Sequence, residues 1–218
     1  MRRTLSAAQL LDLKEDKLEI GDGWDKCLGG LPKTGIVIIW GCSGNGKSGA
    51  AMSLCRELGN YYKILYVASE EGFGVSIRNT IRRYDLAALR TKFQVSLDTY
   101  DDLMERLAKR ESAHVVVLDS PQSMGLKKSQ FTELKEKYGD KKLLIFVCRA
   151  EGKEPLGKVA QMIKYDADVK IWVSGFKAFS HGRFYGETGE KVIWEEGAFK
   201  AYGRDNKEVE DGNYSKDA

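Results

Sequence analysis

Residues 41–48 of the sequence, GCSGNGKS, have the types and the spacing needed to bind a phosphate group, because they fit the pattern G-x-x-x-x-G-K-[ST]. Glycines in such a loop let successive backbone N–H groups point toward one anion, and a helix that begins near the lysine adds its N-terminal dipole. Lys47 can then reach the β- and γ-phosphates of a nucleotide, and the Ser48 hydroxyl can coordinate Mg²⁺. The alternative is an ordinary glycine-rich turn. The pattern predicts that ATP binds, with Mg²⁺, to Gly41, Cys42, Ser43, Gly44, Asn45, Gly46, Lys47, Ser48 and Gly49.

Three acidic side chains follow apolar runs and suit the rest of a nucleotide-hydrolysing site. Asp119 ends the run HVVVLDS, where a carboxylate that supports the metal ion is expected, although an aspartate there also suits a turn or a helix cap. Glu70 and Glu71 follow the run ILYVAS, and a carboxylate at that edge can orient the attacking water. Because side chains alternate along a strand, one of the two faces the phosphate easily. We predict that Glu70 is the catalytic residue, with Glu71 as the second choice and a solvated loop as the alternative.

Apolar runs and amphipathic segments alternate along the chain and predict the elements that position these residues. Buried strands are predicted at 35–40, 63–69, 114–120 and 142–148, with a short strand at 93–97. Helices are predicted at 47–58, 74–84, 99–111 and 129–139, with a short capped helix within 4–18. From 168 to 197, strand-like runs alternate with glycine-rich turns, which predicts antiparallel hairpins. This order predicts an α/β fold with a mainly parallel central sheet flanked by helices, and it places the site at one edge of that sheet.

Composition limits the class of protein. A chain of 218 residues, of which 42% are hydrophobic, suffices for one α/β domain. The net charge of +3 is too small to indicate nucleic-acid binding by itself. The four cysteines form no C-x-x-C pair, which favours reduced thiols over a zinc site. No apolar run approaches the roughly 18 residues of a membrane span, so we expect a cytoplasmic protein without membrane partners.

Residues 20–195 resemble the RecA-like P-loop ATPases, and most closely the RadA/Sms and KaiC branch. GDGWDKCLGGLPKTGIVIIWGCSGNGKS is similar to that branch's lead-in, in which an aspartate and an LGG turn precede the first strand. ILYVASEEG is similar to its strand with the catalytic glutamate, matched at Glu70, and VVVLDSPQSM to its Walker B segment. IFVCRAEGKEPLGK lies where the family has a sensor strand and a mobile DNA-facing loop. The sequence shows neither the zinc module nor the protease-like domain of RadA, and in this it resembles bare ATPase cores of phage or mobile-element type.

The resemblance implies a ring or filament of identical subunits, with nucleotide bound between neighbours. In the family, a basic residue of one subunit completes the adjacent site, within a Lys-x-Arg-Phe-Gly segment. This chain has SHGRFYGETGE, which matches at Arg183 and Phe184 but has His181 in place of the lysine. Arg183 is therefore the expected trans-acting catalytic residue, and Lys177 is a candidate for the missing lysine. The alternative for Arg183 is an ordinary surface arginine.

The resemblance also implies a DNA partner, with single-stranded DNA favoured. The segments 121–130 and 149–158 are expected to be mobile loops that face the axis of the assembly. Their basic side chains suit salt-dependent, sequence-independent contacts with phosphates. Glu151 and Glu154 dilute the charge of the second loop, and two solvated loops are the alternative. The basic residues concerned are Lys127, Lys128, Arg149, Lys153 and Lys158.

Together these features predict an oligomeric Mg–ATP-hydrolysing protein of DNA recombination, repair or replication. We expect an N-terminal appendage at 1–22, a RecA-like ATPase domain at 23–202 and a polar, frayed tail at 203–218. One alternative is a nucleotide-gated assembly or regulatory module of the KaiC kind that does not bind DNA. Another is a small-molecule kinase, for which SIRNTIRRYDLAALR offers only a faint version of an arginine-rich lid.

Overall fold

The computed structural model describes residues 4–12, 17–180 and 189–203. Its helices are α1 (Ala7–Leu11), α2 (Trp24–Leu28), α3 (Lys47–Leu58), α4 (Val75–Arg83), α5 (Tyr100–Leu107), α6 (Pro121–Met124), α7 (Lys128–Tyr138), α8 (Lys158–Asp166) and α9 (Glu195–Tyr202). Its strands are β1 (Lys17–Leu18), β2 (Leu31–Pro32), β3 (Gly35–Gly41), β4 (Ile64–Ala68), β5 (Phe93–Ser96), β6 (Val115–Asp119), β7 (Leu143–Glu151), β8 (Glu154–Pro155), β9 (Val169–Ser174), β10 (Lys177–Ser180) and β11 (Glu190–Val192). None of the helices in these ranges has the length and apolarity needed to cross a membrane.

A large sheet runs through the middle of the molecule, with the strand order β11-β10-β9-β3-β7-β6-β4-β5. The strands from β9 to β5 are parallel, whereas β10 and β11 are antiparallel. β3 lies inside the sheet between β7 and β9, which explains why its sequence is a continuous apolar run. Since parallel strands all end at one edge, the residues that follow β3, β4, β6 and β7 gather there.

Helices cover both faces of the sheet, and the side chains of β3 alternate between them. Val37 and Ile39 belong to the apolar cluster that contains the buried residues of α3. Ile36, Ile38 and Trp40 belong to the opposite cluster, which contains buried residues of α5, α7 and α8. This period of two follows from the pleat of the strand, and it fixes the direction in which the end of β3 points.

The predicted α/β class is confirmed, with a mostly parallel sheet, flanking helices and antiparallel strands near the C-terminus. The five strands predicted before residue 150 are present, as are the predicted helices. α5 is shorter than expected and ends at Leu107. The Leu107 carbonyl accepts a hydrogen bond from the Ser112 hydroxyl at 3.0 Å.

The prediction of antiparallel hairpins from residue 168 onward is confirmed, because β10 pairs antiparallel with both β9 and β11. The other edge of β9 pairs parallel with β3, which the pattern did not predict. The parallel arrangement requires a crossover from β7, and α8 provides it. α8 was not predicted. Its buried residues are Ala160 and Ile163, and so small an apolar set gives a weak helical pattern.

The segment 121–130, expected as a mobile loop, is largely helical. Ser120 caps α6 through its side chain, Pro121 occupies the first turn, and Gly125 ends the helix with φ of 69°. α7 then begins at Lys128. The expectation of one continuous loop is therefore wrong, since the Ser-Pro start and the glycine stop specify a short helix.

The segment 149–158, also expected as a loop, is a hairpin. β7 continues to Glu151, and the chain turns at Gly152, whose φ is 59°, before β8 pairs with β7. The indole N–H of Trp40 donates to the Lys153 carbonyl at 2.9 Å and ties the turn to the end of β3. The hairpin escaped prediction because its two-residue return strand is too short to give a pattern.

Candidate nucleotide site

The glycine-rich sequence forms a turn between β3 and α3, at the edge of the sheet where the parallel strands end. Gly44 and Gly46 have φ of 76° and 94°, a left-handed conformation that glycine adopts without steric strain. A side chain on Gly41 would collide with the Val173 carbonyl oxygen, so β3 and β9 approach closely only because this residue is glycine. The turn thus has the backbone conformation that the phosphate-loop pattern predicts.

Asn45 ties this turn to the connection between β9 and β10. Its side-chain oxygen accepts a hydrogen bond from the Gly175 N–H at 2.7 Å. Its backbone carbonyl accepts another from the Phe176 N–H at 3.1 Å. These two hydrogen bonds therefore fasten the loop to the connection between β9 and β10.

Lys47 begins α3 and lies half-buried at the base of the loop. Its Nζ donates to the Cys42 carbonyl at 3.0 Å. Burial lowers the pKa of Lys47 below its ordinary value, against the opposing charges of Glu70 and Asp119. The lysine is thus held inside the turn, surrounded by the groups that the sequence predicts as its partners.

Asp119 ends β6 and is buried, with 4% of its surface exposed. Its carboxylate accepts hydrogen bonds from the Tyr66 hydroxyl and from the Ser48 side chain. Burial raises the pKa of this carboxyl to about 6, although the two hydrogen bonds favour its charged form. The residues predicted as the metal-binding pair, Ser48 and Asp119, therefore lie close together.

Glu70 follows β4, and its backbone N–H donates to the Asp119 carbonyl at 3.0 Å. Its side chain is 33% exposed and forms an ion pair with Arg149, at an N···O distance of 3.3 Å. Glu71 lines the same cleft as Glu70. The geometry thus brings both candidate glutamates to the loop, and the choice of Glu70 as the catalytic residue stays a prediction.

A cleft of about 240 Å³ opens beside the loop. It is lined by Ser43, Gly44, Gly46, Lys47, Ser48, Gly49, Glu70, Glu71, Thr80, Arg83, Tyr84, Phe176, Ile193 and Trp194. The last six were not predicted as site residues. They come from α4, from the β9–β10 connection and from the residues after β11, and no local motif links such distant segments.

Aromatic and cationic side chains form one part of the cleft lining, which we call the aromatic end. The Phe176 and Trp194 rings are perpendicular, with centroids 4.8 Å apart, and the Arg83 guanidinium lies 5.7 Å from the Trp194 centroid. The Tyr84 hydroxyl donates to the Ile193 carbonyl at 3.3 Å. Phe176 thus lines this cleft together with residues from two other segments.

The donor set fits magnesium better than a metal held wholly by protein. Among the residues that the structure describes, no three His, Cys, Asp or Glu side chains lie close enough together to hold a metal ion. Mg²⁺ commonly binds through one or two protein oxygens together with water and nucleotide phosphates. Ser48 and Asp119, beside an open phosphate loop, match that requirement.

Other predicted residues lie elsewhere or cannot be placed. Arg183, with His181 and Phe184, lies outside the described residues. The Lys177 side chain is 5% exposed and pairs with Glu190 at 3.3 Å, so it is not presented to a neighbouring subunit.

The basic residues expected to contact DNA divide into two groups. Lys127, Lys128, Lys153 and Lys158 are exposed. Arg149 is instead turned toward Glu70. The four lysines are available at the surface, whereas the arginine belongs to the candidate site.

Comparison with family models gave no match, and comparison with curated proteins gave none either. Among solved structures, the chain is similar to the flagellar accessory protein FlaH from Methanocaldococcus jannaschii, with 18% sequence identity and a TM-score of 0.55. The similarity covers 80% of this chain and 84% of that one. At this identity the likeness shows the α/β fold alone, and the RecA-like family and its RadA/KaiC branch stay predictions.

Proposed function

We propose that this chain binds Mg–ATP and hydrolyses it to ADP and phosphate. The observation that carries the proposal is the convergence of Lys47, Ser48 and Asp119 at one edge of the sheet, where the Ser48 side chain lies beside the Asp119 carboxylate and favours its charged form. Glu70, whose backbone N–H donates a hydrogen bond to the Asp119 carbonyl, adds a carboxylate within the same cleft. Phosphate binding, metal binding and water activation each have a residue of the right type in place.

Each residue has a separate role in this proposal. The backbone N–H groups of the loop and Lys47 hold the β- and γ-phosphates, and Ser48 and Asp119 hold the metal. When bound, Mg²⁺ neutralises the charge that develops on the phosphoryl oxygens. Glu70 accepts a hydrogen bond from the attacking water and orients it. Arg183, outside the described residues, is proposed to stabilise the transition state from a neighbouring subunit.

The remainder of the nucleotide is proposed to lie at the aromatic end of the cleft. Trp194 and Phe176 offer ring surfaces to a base, and Arg83 offers a cation beside them. This arrangement suits a planar, electron-rich ligand such as a purine.

The test of the proposed function is calorimetric titration of Mg–ATP into the wild type and Lys47→Ala. We expect an affinity loss of about a hundredfold, because charge-assisted hydrogen bonds to two phosphates are removed. Lys137→Ala is the control, since this exposed lysine of α7 pairs with Glu133 and lies outside the cleft. Unchanged affinity in Lys47→Ala would refute the assignment of the site.

We further propose that ATP hydrolysis changes the affinity of an oligomer for single-stranded DNA during recombination, repair or replication. The exposed lysines at 127, 128, 153 and 158 support it, because phosphate contacts need cations at the surface. Single-stranded DNA should then stimulate hydrolysis at low salt and lose this effect as salt rises. Replacing Lys127 and Lys128 with alanine should weaken the stimulation without changing the basal rate.

The second candidate is a nucleotide-gated assembly module that does not bind DNA. It is favoured by the helix in 121–130 and the hairpin in 149–158, because mobile DNA-binding loops were expected there. It is also favoured by the ion pair between Lys164 and Glu154, because Glu154 belongs to the hairpin and this pair engages a cation beside it. FlaH, the similar structure, is named as a flagellar accessory protein. An ATP hydrolysis rate that does not change when DNA is added, together with a nucleotide-dependent change of mass in solution, would favour this candidate.

A further inference from the structure

Arg149 links the proposed catalytic residue to the segment that follows Asp119. Its Nε lies 3.3 Å from each carboxylate oxygen of Glu70. Its Nη2 donates to the Ser123 hydroxyl at 2.8 Å. The guanidinium therefore bridges the residue after β4 and the helix after β6.

The backbone of Arg149 is held as firmly as its side chain. Arg149 is paired with Gly41 in the register of β7 and β3, next to the phosphate loop. Its carbonyl accepts hydrogen bonds from the Leu156 N–H at 2.8 Å and from the Gln122 side chain at 3.4 Å. The Gln122 side chain also donates to the Leu156 carbonyl at 3.1 Å, so α6 and the β7–β8 hairpin hold the arginine together.

The Arg149 guanidinium faces both oxygens of the Glu70 carboxylate, because Nε is equally close to each of them. An attacking water must therefore compete with this cation for the acceptor positions of the carboxylate and for its orientation. We propose that Arg149 is a positioning residue that restrains Glu70 in this ion pair, and that turnover requires the pair to open. The inference rests on the proposed hydrolysis and names the interaction that limits its rate.

The size of the effect follows from the exposure of the pair. The side chains of Arg149 and Glu70 are 44% and 33% exposed, so water and salt screen their attraction. Such pairs are worth up to about 1 kcal/mol, which corresponds to about a fivefold change in rate. A restraint of this strength slows turnover without preventing it.

The experiment compares steady-state hydrolysis by the wild type, Arg149→Gln and Ser123→Ala at saturating Mg–ATP. We expect Arg149→Gln to raise kcat about fivefold with KM unchanged, because the ion pair is lost while the phosphate loop is intact. Ser123→Ala, which removes only the second anchor of the guanidinium, should raise kcat by a smaller factor. Arg106→Gln is the matched control, since Arg106 is also 44% exposed and pairs with Asp98 outside the cleft. Its kcat should equal that of the wild type.

Two further measurements distinguish a restraint of Glu70 by Arg149 from a general contribution of Arg149 to the stability of the fold. The wild-type kcat should rise as KCl increases from about 20 mM to about 300 mM, whereas Arg149→Gln should show no such rise. In the nucleotide-free protein, the backbone amides of residues 70–74 should exchange with solvent faster in Arg149→Gln than in the wild type.

The outcomes distinguish this inference from the proposed function. A wild-type protein that hydrolyses ATP, with Arg149→Gln equal to it or slower, overturns the restraint. Acceleration that persists in Glu70→Gln/Arg149→Gln over Glu70→Gln also overturns it, because the effect then bypasses Glu70. If Arg149→Gln does not fold, Ser123→Ala decides alone, and an unchanged kcat there counts against the restraint. A wild type that neither binds nor hydrolyses ATP overturns the proposed function itself.

Discussion

At the scale of single residues, the side chains of the candidate site are held by contacts within the protein. Asp119 is buried between the donors Tyr66 and Ser48, and Lys47 is held by the carbonyl of Cys42. Groups fixed in this way need little rearrangement when a charged ligand arrives, which favours catalysis by electrostatic stabilisation. Glu70 differs from them, since its partner Arg149 is partly exposed.

The two adjacent glutamates give a sharp test at this scale. Glu70→Gln should bind Mg–ATP normally and lose about a hundredfold or more in kcat, because a carboxylate that orients water is removed while the shape is kept. Glu71→Gln is the matched variant and should retain most of the activity. Binding is measured by calorimetry and turnover by phosphate release. The reverse result, with Glu71→Gln inactive, would move the catalytic role to Glu71.

At the scale of the elements, the sequence predicts what local patterns encode. The apolar runs of β3, β4, β6 and β7 identify a buried parallel sheet, and the glycine pattern identifies the turn that follows β3. Because these strands end at one edge, the proximity of Ser48 to Asp119 follows from fold class and spacing. α8 escaped prediction because it buries few apolar side chains, and the β7–β8 hairpin did so because its return strand has only two residues.

The aromatic end of the cleft and the Arg149–Glu70 pair escaped prediction for a different reason. They join residues that are far apart in sequence, such as Arg83 with Trp194. A single sequence carries no signal for contacts of that kind. Only the register of the strands and the course of their connections bring the side chains together.

Two glycines of the phosphate loop test the backbone argument at this scale. Gly44→Ala and Gly46→Ala should each destabilise the nucleotide-free protein by about 1 kcal/mol, because both have left-handed φ values. The loss of stability should be larger for Gly46→Ala than for Gly44→Ala. The new Cβ at Gly46 would lie 3.0 Å from the Phe176 ring, whereas a Cβ at Gly44 would meet no atom within 4 Å. Chemical denaturation measures the difference. Equal losses would show that the Phe176 ring moves aside freely.

At the scale of the whole molecule, the proposal that neighbouring subunits complete each other's sites depends on Arg183 rather than on Lys177. Lys177 is buried and paired, and Arg183 lies outside the described residues. The N-terminal helix α1 buries none of its residues, and Leu10 and Leu11 are 60% and 86% exposed. Leu18 and Ile20, within the predicted appendage, are buried in the core, and the boundary at residue 22 stays a prediction.

Mixing two inactive variants tests whether Arg183 acts on a neighbouring subunit. Lys47→Ala and Arg183→Ala should each be inactive, and an equal mixture should recover up to about a quarter of the wild-type rate, because one interface in four then has both intact residues. A mixture of Lys47→Ala with Glu70→Gln is the control and should recover nothing, since both residues serve the same subunit's loop. If the first mixture also stays inactive, Arg183 does not act in trans.

The position of Trp194 has a practical consequence. All four tryptophans lie in the described part of the chain; Trp24 and Trp40 are buried, and Trp172 packs beside Phe179 with ring centroids 5.3 Å apart. Trp194 is the one that lines the cleft, next to the phosphate loop. The fluorescence of Trp194 should therefore respond to a ligand that enters the cleft. Trp194→Phe separates this signal from that of the other three tryptophans. If ATP binds there as proposed, adding it should change the fluorescence of the unlabelled protein, and Trp194→Phe should abolish that change.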